Sequence, residues 1–154
     1  MQKTEETFNR MAALCNASEH CESDIRERLQ RVAMSADDIQ CIIDRLYDEH
    51  YLDTSRYCHA FAHDRLRFNH WGRIKIQQAL RQKGLPQQDI SQALAELSEE
   101  EYTQILSDLL AQKARTLCTE DDYTRRGKLI RFALGRGFTM EETMHCQIVF
   151  THDE

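Results

Sequence analysis

Cys58, His59 and His63 are the residues of this chain best placed to share a metal ion, since side chains four apart on a helix point the same way. A helical zinc-protease motif needs a glutamate directly after its first histidine, and Ala60 stands there instead. With two or three possible ligands and no fourth nearby, the expectation is ordinary histidines rather than a metal site. His20 beside Cys21 is weaker still. The sequence holds no glycine loop able to cradle phosphate, no nucleophile-elbow serine and no paired-cysteine zinc spacing. It therefore predicts neither an enzyme nor a bound cofactor.

The other chemistry on offer is electrostatic. Residues 56–83 carry Arg56, Arg65, Arg67, Arg73, Lys75, Arg81 and Lys83 against only Asp64, whereas residues 1–55 carry 6 basic and 12 acidic groups. Residues 84–124 turn acidic again through Glu99-Glu100-Glu101 and Glu120-Asp121-Asp122, after which Arg125, Arg126, Lys128, Arg131 and Arg136 follow. A net charge of -6 and a pI of 5.6 hide this alternation. Seven cations with one anion repel one another, and a polyanionic partner, either nucleic acid or an acidic protein face, relieves that repulsion. Phe68, His70 and Trp71 lie inside the stretch, where a ring can stack on an unpaired base. Phe68 and Trp71 are nevertheless expected to fill the joint between two helices. The segment around Gly84 also resembles a helix-turn-helix, but its presumed reading helix, Gln87-Gln88-Asp89-Ile90-Ser91-Gln92, has no arginine or lysine.

What positions these groups is a repeat. Ile25, Leu29, Ile39, Ile43 and Leu46 are followed 51 residues later by Ile76, Leu80, Ile90, Leu94 and Leu97. The gaps within a copy set each apolar group on one stripe of two short helices joined by a tight turn, and tandem units of this kind stack around a shared core. A third copy aligns Leu134 with Leu80 and Gly137-Phe138-Thr139 with Gly84-Leu85-Pro86, with Thr143 where Ile39 and Ile90 sit, so that its last helix is expected to slip by one residue.

Each copy reads as three helices. First helices are expected at about 4–16, 54–68 and 99–115, second helices at 23–33, 71–83 and 123–135, and third helices at 36–50, 87–97 and 140–150. Ser35, Pro86 and Thr139 open the third helices, Ser98 opens a first helix, and Gly84 and Gly137 suit the left-handed residue that ends a second helix. Ala33 stands where that glycine would be in the first copy, so its turn is expected to close differently or to cost some stability.

One proline, five glycines and 30% charged residues fit a helix-rich protein. No apolar run approaches the roughly 20 residues of a membrane span, and the first six residues lack an export signal, which places the expected location in the cytosol with no membrane contact. The six cysteines are scattered and expected to be reduced packing groups.

The run Tyr51-Leu52-Asp53, Arg56-Tyr57, Phe61 and Arg65, then Trp71-Gly72-Arg73-Ile74 and Leu80-Arg81-Gln82-Lys83-Gly84-Leu85, resembles the signature of the RecX recombination regulators over about residues 8–150. It departs at Thr54, where a second acidic residue is usual, and at His50, where glycine is common. The resemblance implies an all-α fold of three tandem three-helix repeats (1–53, 54–98 and 99–154) stacked into one elongated, curved array. It also implies a non-catalytic regulator, expected to be monomeric, that lies in the groove of the RecA filament on single-stranded DNA and inhibits or modulates it. Arg65, Arg67, Arg73, Lys75, Arg81 and Lys83, with Arg125, Arg126, Lys128 and Arg131, are the residues expected to face protein or phosphate there. The alternative is direct DNA binding through the basic central repeat.

Overall fold

The computed structural model describes residues 2–146, and among the described residues every regular element is a helix. The order is α1 (Gln2–Ala17), α2 (Glu22–Arg31), α3 (Ala36–Asp48), α4 (Thr54–Asn69), α5 (Arg73–Gln82), α6 (Gln87–Ala95), α7 (Glu99–Thr116), α8 (Asp122–Gly135) and α9 (Met140–Met144). They fall three to each copy of the sequence repeat. The expected last helix reached residue 150, but α9 ends at Met144, and residues 147–150 lie outside the described residues.

Helix starts follow their caps. Ser35 accepts from the Asp38 amide (3.1 Å), Ser98 from the Glu101 amide (3.2 Å) and Asp121 from the Thr124 amide (2.7 Å), each meeting an amide that has no partner inside its helix. Thr139 forms the full reciprocal box, its hydroxyl accepting from the Glu142 amide (3.0 Å) while the Glu142 carboxylate accepts from the Thr139 amide (2.8 Å). At Ser98 the reciprocal half is missing, because the Glu101 carboxylate turns to Arg67.

Helix ends use the left-handed region. Gly84 (φ +82°) and Gly137 (φ +96°) take it as the sequence predicts, and Ala33 (φ +56°) takes it too, so the first copy keeps the same turn and bears the strain. His50 (φ +65°) and His70 (φ +56°) do likewise after α3 and α4. A residue with a Cβ in this region costs roughly 1–2 kcal/mol, a cost that Ala33, His50 and His70 each bear.

The third copy corrects the sequence register. Leu129, Ala133, Phe138 and Thr143 are all buried at 0–1% exposure and lie 53 residues after Ile76, Leu80, Leu85 and Ile90, whereas Leu134 is 42% exposed. The last helix has not slipped. Gly137 must coincide with Gly84 because its φ demands it, and that coincidence puts Ala133, not Leu134, at the buried position. Here the core trades size along the chain, with Ala133 and Phe138 standing where the second copy has Leu80 and Leu85. Thr143 tolerates burial because its hydroxyl donates to the Thr139 carbonyl (2.8 Å).

The chain divides into two compact units, residues 1–60 with 80–90, and residues 61–79 with 91–154, so that α4, α5 and α6 each contribute to both. In the first, Phe8, Ala12 and Cys15 of α1 meet Ile25 and Leu29 of α2 and Ile39, Ile42, Ile43 and Leu46 of α3, with Leu52 closing the cluster. Tyr51 stands edge-on to Phe8 at 6.0 Å, and the Arg45 guanidinium lies 3.8 Å over the same ring while bonding Glu5 and Glu49. Thr54 donates to Asp89 (2.5 Å), so the departure from an acidic residue there leaves a polar tie. In the second unit, the Gly72 amide donates to the Arg136 carbonyl (2.7 Å) and the Ile74 amide to the Gly137 carbonyl (3.1 Å), tying the start of α5 to the turn after α8.

Candidate partner-binding surface

Arg73 is engaged on every side. Its guanidinium donates to the Leu94 carbonyl (3.2 Å), Glu99 (2.7 Å) and Glu142 (3.4 Å) and lies 4.1 Å over the Tyr102 ring. Tyr102 accepts from the Arg73 amide (3.1 Å) and donates to Glu142 (3.1 Å). Burial, followed by the Glu142 carboxylate, raises the Tyr102 phenol above its usual range. With a side chain 23% exposed, Arg73 holds the second unit together from within.

Three more of the sequence-selected cations have carboxylate partners. Arg67 makes a two-pronged contact with Glu101 (2.6 and 3.1 Å), Lys128 reaches Glu120 (2.6 Å), and Lys83 reaches Asp24 (3.2 Å) in the first unit. Arg81 donates to Gln87 (2.8 Å). Arg65 bonds Asn69 (2.8 Å) and packs 5.3 Å over Phe61 and 6.0 Å over Trp71, leaving its buried Nε without a hydrogen-bond partner. Lys75 sits 4.8 Å over the other ring of that group, Trp71. Lys75, Arg81, Arg125 and Arg131 form no salt bridge among the described residues, while Arg126 is exposed and engaged. The structure thus separates the ten cations into those that brace a unit and those turned outward.

The aromatics divide the same way. Trp71 packs edge-on to Phe61 at 6.4 Å, as a joint-filling residue should, but Phe68 is 76% exposed and fills nothing. At its place near the end of α4, Phe68 points away from the stripe formed by Ala62 and Leu66.

Tyr123, which the sequence reading passes over, is 90% exposed at the start of α8. It lines an open cavity of about 360 Å³ with Thr124, Arg126, Gly127, Ile130 and Arg131. The helical spacing of Tyr123, Ile130 and Leu134 was the available signal, obscured by assigning Leu134 to the core.

Among the described residues no group of three or more His, Cys, Asp or Glu side chains is arranged to hold a metal. Cys58 is fully buried, and burial, then Asp89 and Cys21, push its thiol up to about 11, which disfavours the thiolate that metals bind. All six cysteines are free; Cys41 and Cys118 are exposed and the other four buried. No described helix is long and apolar enough to cross a membrane.

Residues 55–94 match the family model described as RecX, second three-helix domain, and residues 99–146 the one described as RecX, third three-helix domain. Over 144 residues the chain is 30% identical to the protein named Regulatory protein RecX from Prosthecochloris aestuarii, covering 92% of this chain and 93% of that one. Two crystal structures share the fold. One, of regulatory protein RecX, superposes with a TM-score of 0.85 at 21% identity, over 94% of this chain and 73% of that chain. The other, of RecX from Lactobacillus salivarius, gives 0.82 at 15% identity over 94% of both.

Proposed function

Since the chain belongs to the RecX family, we propose that it is a regulatory protein whose target is the RecA filament on single-stranded DNA. It binds along the filament groove and restrains ATP hydrolysis, strand exchange or filament growth without catalysis of its own. The observation that carries this reading is the near-complete match to a protein named as a regulator, extending over 93% of that relative. Repeats assigned to residues 1–53, 54–98 and 99–154 suit such a role, because stacked helical units spread many small contacts over a long surface. Arg73, with its guanidinium paired to Glu99 and Glu142 inside its own unit, supports the fold. Lys75, Arg81, Arg125 and Arg131 are the cations assigned to the filament, with Arg65, Arg67, Lys83, Arg126 and Lys128 able to exchange their present partners on binding.

A filament that favours one conformation when bound needs no chemistry to be inhibited; preferential affinity for that state shifts the population toward it. The test is the ATP hydrolysis rate of a preformed RecA filament with and without this chain. Slowing at substoichiometric amounts is the expected result, and an unchanged rate with no filament binding overturns the reading. Tight, steeply salt-dependent binding to a naked dT oligomer without any effect on the filament supports direct DNA binding instead.

A further inference from the structure

One face of α8 combines an apolar stripe, a notch and outward cations. Tyr123 is 90% exposed, Leu134 42% exposed and Ile130 half-buried. Their spacing of seven and four residues sets them on one stripe roughly 16 Å long at a rise of about 1.5 Å per residue. Gly127 lies between them. A Cβ there would meet nothing nearer than the Arg131 guanidinium at 3.5 Å, so no neighbour forbids a side chain, and a glycine inside a helix weakens it. What glycine supplies is depth, the floor of the cavity of about 360 Å³ that Tyr123, Ile130, Arg126 and Arg131 surround. Single exposed apolar residues are ordinary on a protein surface; two in line with a half-buried isoleucine, beside a notch, are not.

From this we infer that the α8 face docks a short helical segment of a partner protein, one that presents two apolar side chains and flanking carboxylates. Helix-in-groove recognition uses anchors at this spacing, and Arg131, without a salt bridge among the described residues, sets the sign of the complementary charge. Protein fits better than nucleic acid because two of the three stripe residues are aliphatic, and Ile130 and Leu134 offer no flat ring on which a base can stack. The proposal rests on the functional reading above in taking the partner to be the filament protein.

Two measurements test it. With p-benzoylphenylalanine in place of Tyr123, irradiation on RecA filaments assembled on a dT oligomer should cross-link α8 to RecA. The double variant Tyr123→Ala, Arg131→Glu, both at exposed positions, should keep its helicity and lose at least tenfold in filament affinity. Cross-linking to DNA, or to another copy of this chain in the absence of filament, overturns the docking assignment, as does a double variant that binds filaments normally while the unaltered chain also binds. If the unaltered chain fails to bind filaments at all, the functional reading falls, and the partner assigned here falls with it.

Discussion

Gly72 and Gly137 meet backbone to backbone, so closely that a Cβ on Gly72 would stand 2.4 Å from the Gly137 carbonyl carbon and oxygen. A Cβ on Gly137 would lie 2.5 Å from the Lys75 Cβ, at a φ of +96° that already disfavours side chains. Gly84 shares the left-handed conformation but has nothing within 4 Å of its would-be Cβ. Gly84→Ala should therefore cost about 1–2 kcal/mol, the conformational part alone, whereas Gly72→Ala and Gly137→Ala should cost about 2–5 kcal/mol through forced backbone movement. Urea unfolding of the three variants checks the order; equal costs would contradict the close contact.

Ala33 and His50 hold left-handed turns with a side chain attached. Replacing either by glycine releases local strain, offset in part by the greater freedom of the unfolded chain. Ala33→Gly and His50→Gly should each stabilise by about 0.5–1 kcal/mol. A lower melting temperature for both variants would show that neighbouring contacts, not φ, dominate these turns.

Reversing the charge at 73 and at 131 should have different consequences. Arg73→Glu sets a third carboxylate among Glu99 and Glu142 and strips the Leu94 carbonyl and Tyr102 ring of their cation, costing about 2 kcal/mol or more. Arg131→Glu touches no ion pair among the described residues and should leave stability within about 0.5 kcal/mol. Chemical denaturation measures both, and comparable losses would remove the distinction between bracing and outward cations.

Stability should fall on the alkaline side. Burial, then Asp89 and Cys21, raise the Cys58 thiol to about 11, and burial, then Glu22, raises the Tyr47 phenol. An unfolded chain releases a thiol proton near pH 8.5, so above that value it binds fewer protons than the folded chain, and unfolding becomes easier with each step in pH. The contribution is complete below about 8.5 and is lost as pH rises toward 11. Urea midpoints at pH 7 and pH 10 should differ, and Cys58→Ala should flatten that difference even if it lowers both midpoints. With a thiol reagent at pH 8, Cys41 and Cys118 should react fast and the four buried cysteines slowly.

The helices were legible because their signals are local: apolar stripes, Ser35, Ser98 and Thr139 as caps, and glycine at 84 and 137. Local pattern also misled. Leu134 looked like a core residue on type and approximate spacing, and only the backbone demand of Gly137 sets Ala133 inside. Phe68 neighbours Trp71 in sequence and so reads as a joint-filler, although only Trp71 packs on Phe61 and Phe68 is left exposed. Charge clustering found the cations but not their duties, since the Arg73 to Glu142 pair spans 69 residues and no composition window reveals it. Tyr123 escaped notice for a related reason: exposure is decided by what the rest of the chain leaves uncovered.

The size exchange between Ala133 and Phe138 makes those two positions heritable only as a couple. A chimera that took α8 from a relative with leucine at the first position, yet retained Phe138, would overfill the interior, and the reciprocal graft would leave a hole where the ring now lies 5.2 Å from Tyr102. Shuffling whole repeats between family members should succeed more often than shuffling single helices, with the permitted seams falling outside the span that joins α8 to α9.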